Sequence, residues 1–339
     1  MNYLGKGLVV TENSDLLNPL KTWSHLVSQR RRPSEYEIVS TNLLWSTDGE
    51  MPWALSPDID MNQWYLKYRN QSPIKHKDWD SFRDPDELVY RTYNIQQDGQ
   101  ETYIDGLLDE HNRNEHDAGY SNDWLTYLLK SYTPARYLLH AMQMGSAYLV
   151  QMVPASTIEN CAMLQAADQL RWISRISYRT KELQKRWPAF QFGQQERACW
   201  EKEDSWQGFR ELMERILVSY DWGEHFVALN IIAKPSIDEA FIRQLGKAAR
   251  RNGDMLLALL NDAQMLDSER SRRWTKSLVE FVLKNDENRK VLEGWVDKWA
   301  PLGDKAIELY CSGLPDSSEA TLEAKNAVKN WRESIGIKA

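Results

Sequence analysis

From about residue 80 onward, this chain of 339 residues repeats apolar side chains at the three- and four-residue spacing of amphipathic helices. Little interrupts that pattern, because the whole chain has only 16 Gly and 12 Pro. Gly and Pro punctuate strands and turns, so their scarcity argues against a sandwich or barrel of many short strands. The sequence therefore predicts an all-α protein, a bundle of long helices.

Proline and capping residues set the predicted helix boundaries. Pro134 suits the first turn of a helix, Pro154 ends that helix, and Ser156 or Thr157 can cap the next. Pro301 breaks or kinks the pattern near the C-terminus. The predicted helices are residues 88–109, 124–131, 134–152, a helix from 156 onward, 206–232, 236–251, 254–284, 287–299, 305–310 and 319–334.

The helix that follows Pro154 carries apolar side chains on two sides. Such a pattern is typical of an interior helix, which has neighbours all round. One stripe is Ile158, Ala162, Ala166, Leu170 and Ile173, and the other is Cys161, Leu164 and Trp172.

Residues 1–60 differ from the rest of the chain. They lack a sustained helical period, yet they carry large apolar side chains that gain little unless something covers them. We interpret them as an extended N-terminal arm, packed either on partner subunits or on its own chain. Residues 61–339 are then a single helical domain.

Charge and cysteine content exclude several classes of protein. With 42 Lys+Arg against 49 Asp+Glu, the net charge is −7, and no basic stripe suits a nucleic acid. Cys161, Cys199 and Cys311 are far apart and indicate a reducing compartment. No apolar run is long enough for a secretion signal or a membrane span, so we expect a cytoplasmic protein without a membrane partner.

The chain has 15 Trp, more than we expect the core of one bundle to need. Trp, Tyr and Arg are enriched at the anchors of protein interfaces. Some of these rings are therefore expected to lie in a permanent interface.

A helical bundle of this size raises the hypothesis of a carboxylate-bridged di-iron site. That site needs a Glu from each of two helices and a Glu-x-x-His pair from each of two more. The residues three positions before the six histidines are Thr22, Pro73, Leu108, Arg113, Tyr137 and Trp222, and none is acidic. Neither Glu-x-x-His pair is present, so the sequence predicts no di-iron site in this chain.

Two weaker constellations remain. His111 and Glu115 are four residues apart in the polar segment 109–117, which also contains His116. A solvated surface is the more common role for such a segment than a metal site. Asp221 and His225 are one turn apart and could form a hydrogen-bonded pair, although a structural histidine is the stronger interpretation.

Several stretches together closely resemble the β subunit of the hydroxylase component of bacterial multicomponent di-iron monooxygenases, in the toluene, alkene and isoprene branch. The resemblance extends from about residue 19 to about residue 325. The matching stretches are residues 20–26 (LKTWSHL), 31–40 (RRPSEYEIVS), 88–94 (LVYRTYN), 97–101 (QDGQE), 154–158 (PASTI), 170–172 (LRW), 178–180 (YRT), 206–212 (WQGFREL) and 221–224 (DWGE).

The resemblance implies a ferritin-like fold without a metal site, in a subunit that contributes no catalytic residue. It implies assembly with catalytic α and small γ chains into an (αβγ)2 hydroxylase, with the di-iron centre in the α chain and an arm that wraps neighbouring subunits. An effector protein, a Rieske [2Fe–2S] ferredoxin and a flavin reductase that uses NADH complete such systems. The substrate would be an aromatic such as toluene or an alkene such as isoprene.

Two alternatives stay open from the residues alone. One is a free-standing helical adaptor with an exposed aromatic patch. The other is a self-sufficient helical metalloenzyme that uses the segment 109–117.

Overall fold

The computed structural model describes residues 23, 26, 31–44, 58–315 and 317–337, and all regular secondary structure in those ranges is helical. The prediction of an all-α fold is confirmed. The helices are α1 (Glu35–Ser40), α2 (Asp60–Tyr65), α3 (Tyr90–Arg113), α4 (Asn122–Tyr127), α5 (Ala135–Met152), α6 (Ser156–Arg186), α7 (Glu196–Lys202), α8 (Asp204–Ile216), α9 (Trp222–Phe226), α10 (Lys234–Ile237), α11 (Leu245–Arg251), α12 (Met255–Val282), α13 (Asp286–Ser312) and α14 (Ser317–Ser334).

Helices α9, α10 and α11 form one continuous central helix, because π-helical turns at Val227–Ala233 and Asp238–Gln244 join them. The central helix contacts α5, α8, α12, α13 and α14. Its side chains are buried on every side, as expected of a helix at the axis of a bundle.

The predicted helices 206–232 and 236–251 divide differently in the structure. The first ends at Ile216, and a new helix begins at Trp222. The reason is a helix cap: the Asp221 carboxylate accepts hydrogen bonds from the backbone N–H groups of Gly223 and Glu224, at 2.9 and 3.0 Å. The predicted boundary between residues 232 and 236 was wrong.

Helix α6 is interior along only part of its length. Ile158 and Ala162 are fully buried, but Leu170 is 48% exposed and Tyr178 is 51% exposed. The prediction that α6 is enclosed on both sides was therefore wrong for its second half. The central helix takes the interior position instead.

Pro301 neither ends nor divides α13, which runs unbroken from Asp286 to Ser312. Proline in a helix interior costs about 3 kcal/mol, so packing must hold this helix together. Helix α8 packs along α13, and Gly208 of α8 lies so close that an added Cβ would be 2.6 Å from the Ala306 Cα. The proline ring itself is on the exposed side.

The tryptophans pack mainly within this chain. Trp45 and Trp53 lie outside the described residues. No other Trp is exposed, so the chain's own core accounts for more of them than the sequence predicted; their place in an interface stays a prediction. Buried are Trp124, Trp172, Trp206, Trp222, Trp274 and Trp299, and half-buried against the core are Trp64, Trp79, Trp187, Trp200, Trp295 and Trp331.

The described part of the predicted arm packs on its own chain. Tyr36 and Ser40 of α1 are buried. The Ser156 hydroxyl donates to the Ser40 carbonyl at 2.7 Å and accepts from the Leu43 N–H at 3.1 Å. Most of residues 1–60 lie outside the described ranges, so their contact with partner subunits stays a prediction.

Candidate functional site: a charged cavity between four helices

A small cavity lies between α5, α6, the central helix and α12. Its volume of about 20 Å³ is enough for one water molecule. Helix α5 contributes Leu139 and Met142, and the other three helices contribute mostly polar groups. The polar side chains are Gln165, Asp168, Gln169, Lys234, Asp238, Gln264, Asp267, Ser268 and Ser271.

Two of these helices present the same pair of residues to the cavity. Gln165 and Asp168 on α6 are three residues apart, and so are Gln264 and Asp267 on α12. Residues at this spacing share one face of a helix. No histidine motif marks these pairs in the sequence. The signal that could reveal them is a polar i, i+3 pair repeated on two helices.

Asp168 accepts hydrogen bonds from three groups. The Tyr93 hydroxyl donates at 2.8 Å, Arg171 Nη1 donates at 3.3 Å, and the Arg270 guanidinium also donates. Burial and the neighbouring Asp267 charge raise the pKa of Asp168 to about 7, against the opposing effect of Arg270.

Asp267 is held in the same way. Trp172 Nε1 donates to it at 2.8 Å, Gln97 Nε2 at 3.2 Å and Arg171 Nη1 at 3.3 Å. Arg171 therefore bridges the two aspartates of the repeated pairs.

Asp238, from the central helix, is fully buried on the other side of the cavity. It accepts from Lys234 Nζ at 2.7 Å, Ser268 Oγ at 2.8 Å and Arg272 Nε at 3.1 Å. Burial alone raises the pKa of Asp238, but Lys234 and Arg272 outweigh it and lower that pKa below its usual value. Arg272 also donates to Glu239 at 3.0 Å.

These residues do not fit a di-iron centre. Such a centre uses four carboxylates and two imidazoles from four facing helices. Here Gln165 and Gln264 are neutral amides, α5 offers only apolar groups, and the Lys234 ammonium lies at the cavity and would repel a metal cation. Across the described ranges, no group of three or more His, Cys, Asp and Glu side chains is arranged to hold a metal ion.

The predicted cluster at residues 109–117 has a structural arrangement. The His111 and His116 rings lie 4.9 Å apart, but His111 Nδ1 is hydrogen-bonded to the Leu107 carbonyl at 2.8 Å. His116 Nε2 is 3.5 Å from Oδ1 of the buried Asp254. Glu115 is exposed, in a left-handed turn with φ of 50°.

Asp254 is the N-cap of α12 and joins this cluster to the core. It accepts from the Leu257 N–H at 2.9 Å and from Trp124 Nε1 at 3.0 Å. Burial raises the pKa of Asp254, but His116 and Arg179 outweigh it and lower that pKa below its usual value. The cluster therefore ties the end of α3 to the start of α12.

Asp221 and His225 do not pair with each other. Asp221 caps the central helix, whereas the His225 ring nitrogens lie 3.0 Å from the Ser219 and Gly145 carbonyls. Burial lowers the pKa of His225 to about 4, although both carbonyls favour its protonated form. The interpretation of His225 as a structural histidine is confirmed.

Within the described residues, none of the helices combines the length and the apolarity that a bilayer crossing requires.

The fold and the cavity together define the class of protein. It is a ferritin-like bundle of long helices whose central cavity holds ion pairs, and its described residues present no set of di-iron ligands. The chain belongs to the methane/phenol/alkene hydroxylase family, whose model matches residues 64–286. The resemblance to hydroxylase β subunits of multicomponent monooxygenases is confirmed.

Two solved structures and one relative carry the comparison. The chain is 52% identical to the β subunit of the hydroxylase component of the toluene-4-monooxygenase system of Ectopseudomonas mendocina, across 87% of this chain and 91% of that protein. It also superimposes on a chain of a solved structure of toluene 4-monooxygenase that has toluene bound in the resting active site. The TM-score is 0.83 and the identity 52%, over 87% of this chain and 98% of the other. A phenol hydroxylase chain from Pseudomonas sp. OX1 shares the fold, with a TM-score of 0.83 at 18% identity over 97% and 99% of the two chains.

Proposed function

We propose that this chain is the non-catalytic β subunit of an (αβγ)2 hydroxylase that inserts one oxygen atom of O2 into a hydrocarbon. The observation that carries the proposal is the cavity between the four core helices. Its carboxylates are bonded to Arg171, Lys234, Arg270 and Arg272, so it lacks free ligands for the metal that such chemistry uses. The similarity to a toluene-4-monooxygenase β subunit supports the same assignment.

The other components follow from the same resemblance. The catalytic α chain holds the di-iron centre and the substrate pocket, and the γ chain completes the hydroxylase. An effector protein docks on it, and a Rieske ferredoxin with an FAD-containing reductase brings electrons from NADH. The whole system works in the cytoplasm, on an aromatic such as toluene or an alkene such as isoprene.

In this proposal, β supports the assembly and residues 1–60 form its arm towards neighbouring subunits. A subunit of this kind works by packing, so its substitutions change assembly and stability before they change chemistry. No residue of this chain touches the substrate.

The test is co-expression of this chain, carrying an affinity tag, with the α and γ chains of the same hydroxylase system. We expect a complex of the three chains, iron only where α is present, and oxidation of toluene or isoprene that depends on ferredoxin, reductase and NADH. A chain that binds stoichiometric iron alone and shows oxidase activity would instead be a self-sufficient metalloenzyme. A monomer that does not bind α would be an adaptor.

A further inference from the structure

We propose that the cavity between α5, α6, the central helix and α12 is a metal-free counterpart of a di-iron centre. Four fixed protein cations replace the charge of the two metal ions, and one internal water molecule fills the remaining space. The comparison with the α chain rests on the proposed function, whereas the contents of the cavity are a property of this chain's own residues.

The polar pairs around the cavity are arranged like the ligand pairs of a di-iron bundle. A di-iron bundle places i, i+3 ligand pairs on two of its four facing helices. Here two of the four helices around the cavity carry Gln-x-x-Asp pairs, Gln165 with Asp168 and Gln264 with Asp267. Gln has the shape of Glu without its charge, and Asp replaces His as the second member of each pair.

Protein cations compensate the charge of the carboxylates at the cavity. A buried carboxylate is stable only with a compensating cation, because the interior solvates ions poorly. Three carboxylates line the cavity, and each is bonded to at least one of four cations, so their charge is compensated without any metal. The carboxylates are Asp168, Asp238 and Asp267, and the cations are Arg171, Lys234, Arg270 and Arg272.

One side chain at the cavity has an unused hydrogen-bond donor. Gln169 lines the cavity and is 5% exposed. Its Oε1 accepts from the Ser146 hydroxyl at 3.1 Å, but its Nε2 is buried without a hydrogen-bond partner among the described residues. A buried amide without a partner costs about 1–3 kcal/mol, so an acceptor is expected beside it.

A water molecule is the acceptor that fits. The volume of about 20 Å³ exceeds the roughly 10–15 Å³ that one water needs. The water would accept a hydrogen bond from Gln169 Nε2 and donate hydrogen bonds to lining carboxylates. A carboxylate has about four lone-pair sites, and Asp238 and Asp267 each accept three hydrogen bonds from the protein, so each has a site left for the water. A divalent cation does not fit, because Ca²⁺ and Mg²⁺ require about six or more oxygen ligands and uncompensated charge.

The decisive measurement is a high-resolution crystal structure of the assembled hydroxylase, soaked with Mn²⁺. We expect one water peak in the cavity, with contacts of about 2.7–3.2 Å to Gln169 Nε2 and to a carboxylate oxygen, and no anomalous signal there. An empty cavity would overturn the proposal. So would a manganese peak with oxygen contacts of about 2.0–2.6 Å.

A pair of variants tests the role of Gln169. In Gln169→Leu the donor is gone, and we expect the water peak to be lost. Ser146→Ala is the matched control, because it removes the Ser146–Gln169 hydrogen bond but leaves Nε2 in place. The peak should persist in that control, and either loss in both variants or persistence in both would contradict the assignment.

The same crystal tests whether the cavity corresponds in position to the metal pocket of the α chain. When the four core helices of this chain are superimposed on their counterparts in the α chain, the cavity water should fall between the two iron positions. A water that falls outside the α-chain metal pocket would refute the correspondence, even if β-subunit function is established.

Discussion

Two charged regions of this protein look alike in composition but differ in position. The cavity network lies between the four core helices, where Asp168 and Arg270 are each 6% exposed. The second network lies at the end of α3, where Arg179 is 3% exposed but its partners Asp117 and Glu182 are 12% and 16% exposed. The Asp168–Arg270 pair of the first network has both members away from water, whereas the acidic partners of Arg179 in the second network reach it.

That difference determines what each network can do. Removing one member of a fully buried pair leaves an uncompensated charge that cannot be rehydrated. At the end of α3, carboxylates that lose a partner can turn to solvent. The core network therefore fixes how α6, α12 and the central helix pack, and the outer network adds a smaller increment.

The largest expected effect is that of Arg270→Met. It removes one of the two cations that bond Asp168 and leaves only Arg171, at 3.3 Å, so we expect the free energy of unfolding to fall by about 3–5 kcal/mol, measured by urea denaturation of the assembled complex. Asp168→Asn combined with Arg270→Met should recover part of the loss, because the uncompensated charge is then absent. A loss below about 1 kcal/mol would show that the pair behaves as a surface pair.

The pH dependence of stability is the second way to separate the networks. Asp168 has a pKa of about 7 in the folded state, raised from 3.8, so the folded state binds its proton more tightly than the unfolded state. This contribution is full below about pH 4 and is lost as the pH rises through 7, with a slope of at most about 1.4 kcal/mol per pH unit.

The measurement is the difference in unfolding free energy between the wild type and Asp168→Asn from pH 5 to pH 8. His225, whose pKa is lowered to about 4, titrates in the opposite sense and cancels in this difference. The difference should fall between pH 5 and about pH 7 and level off towards pH 8, where both states have lost the proton. A flat difference would mean that Asp168 stays ionised throughout this range.

The fold was largely predictable from the sequence, because long amphipathic helices have apolar residues at a regular three- and four-residue spacing. Most predicted boundaries lie within a few residues of α3, α5, α12 and α14. Failures occurred where tertiary packing overrides local preference. Pro301 is accommodated within α13 by packing on α8, and the central helix continues through Pro235 by means of π-helical turns.

The site was less predictable, since its residues are ordinary ones. Asp168 and Lys234 lie 66 positions apart, and neither belongs to a motif that is read for chemistry. The spacing of the histidines argues against a di-iron motif, but it does not indicate which residues lie in the core instead. Only the meeting of α6, α12 and the central helix shows that three buried carboxylates are each bonded to protein cations.

An intermediate effect is expected for Arg179→Met, in the outer network. Its charge-assisted hydrogen bonds to Asp117, at 3.0 Å, and to Glu182, at 2.6 Å, are lost, which costs about 1.5–3 kcal/mol. Because the carboxylates reach water, the loss should be smaller than for Arg270→Met in the same urea assay. Equal losses would remove the distinction between the two networks.

The smallest effect is expected for His116→Ala. The variant loses a contact of 3.5 Å to Asp254, while Asp254 keeps the Leu257 N–H and Trp124 Nε1 as donors. We therefore expect a loss of about 0.5–1.5 kcal/mol in unfolding free energy and unchanged hydrocarbon oxidation by the reconstituted hydroxylase. His111→Ala is the companion variant, since its ring bonds only a carbonyl of its own helix. If either variant abolished activity while assembly and iron content stayed intact, the outer cluster would be catalytic and the division between a structural β chain and a catalytic α chain would fail.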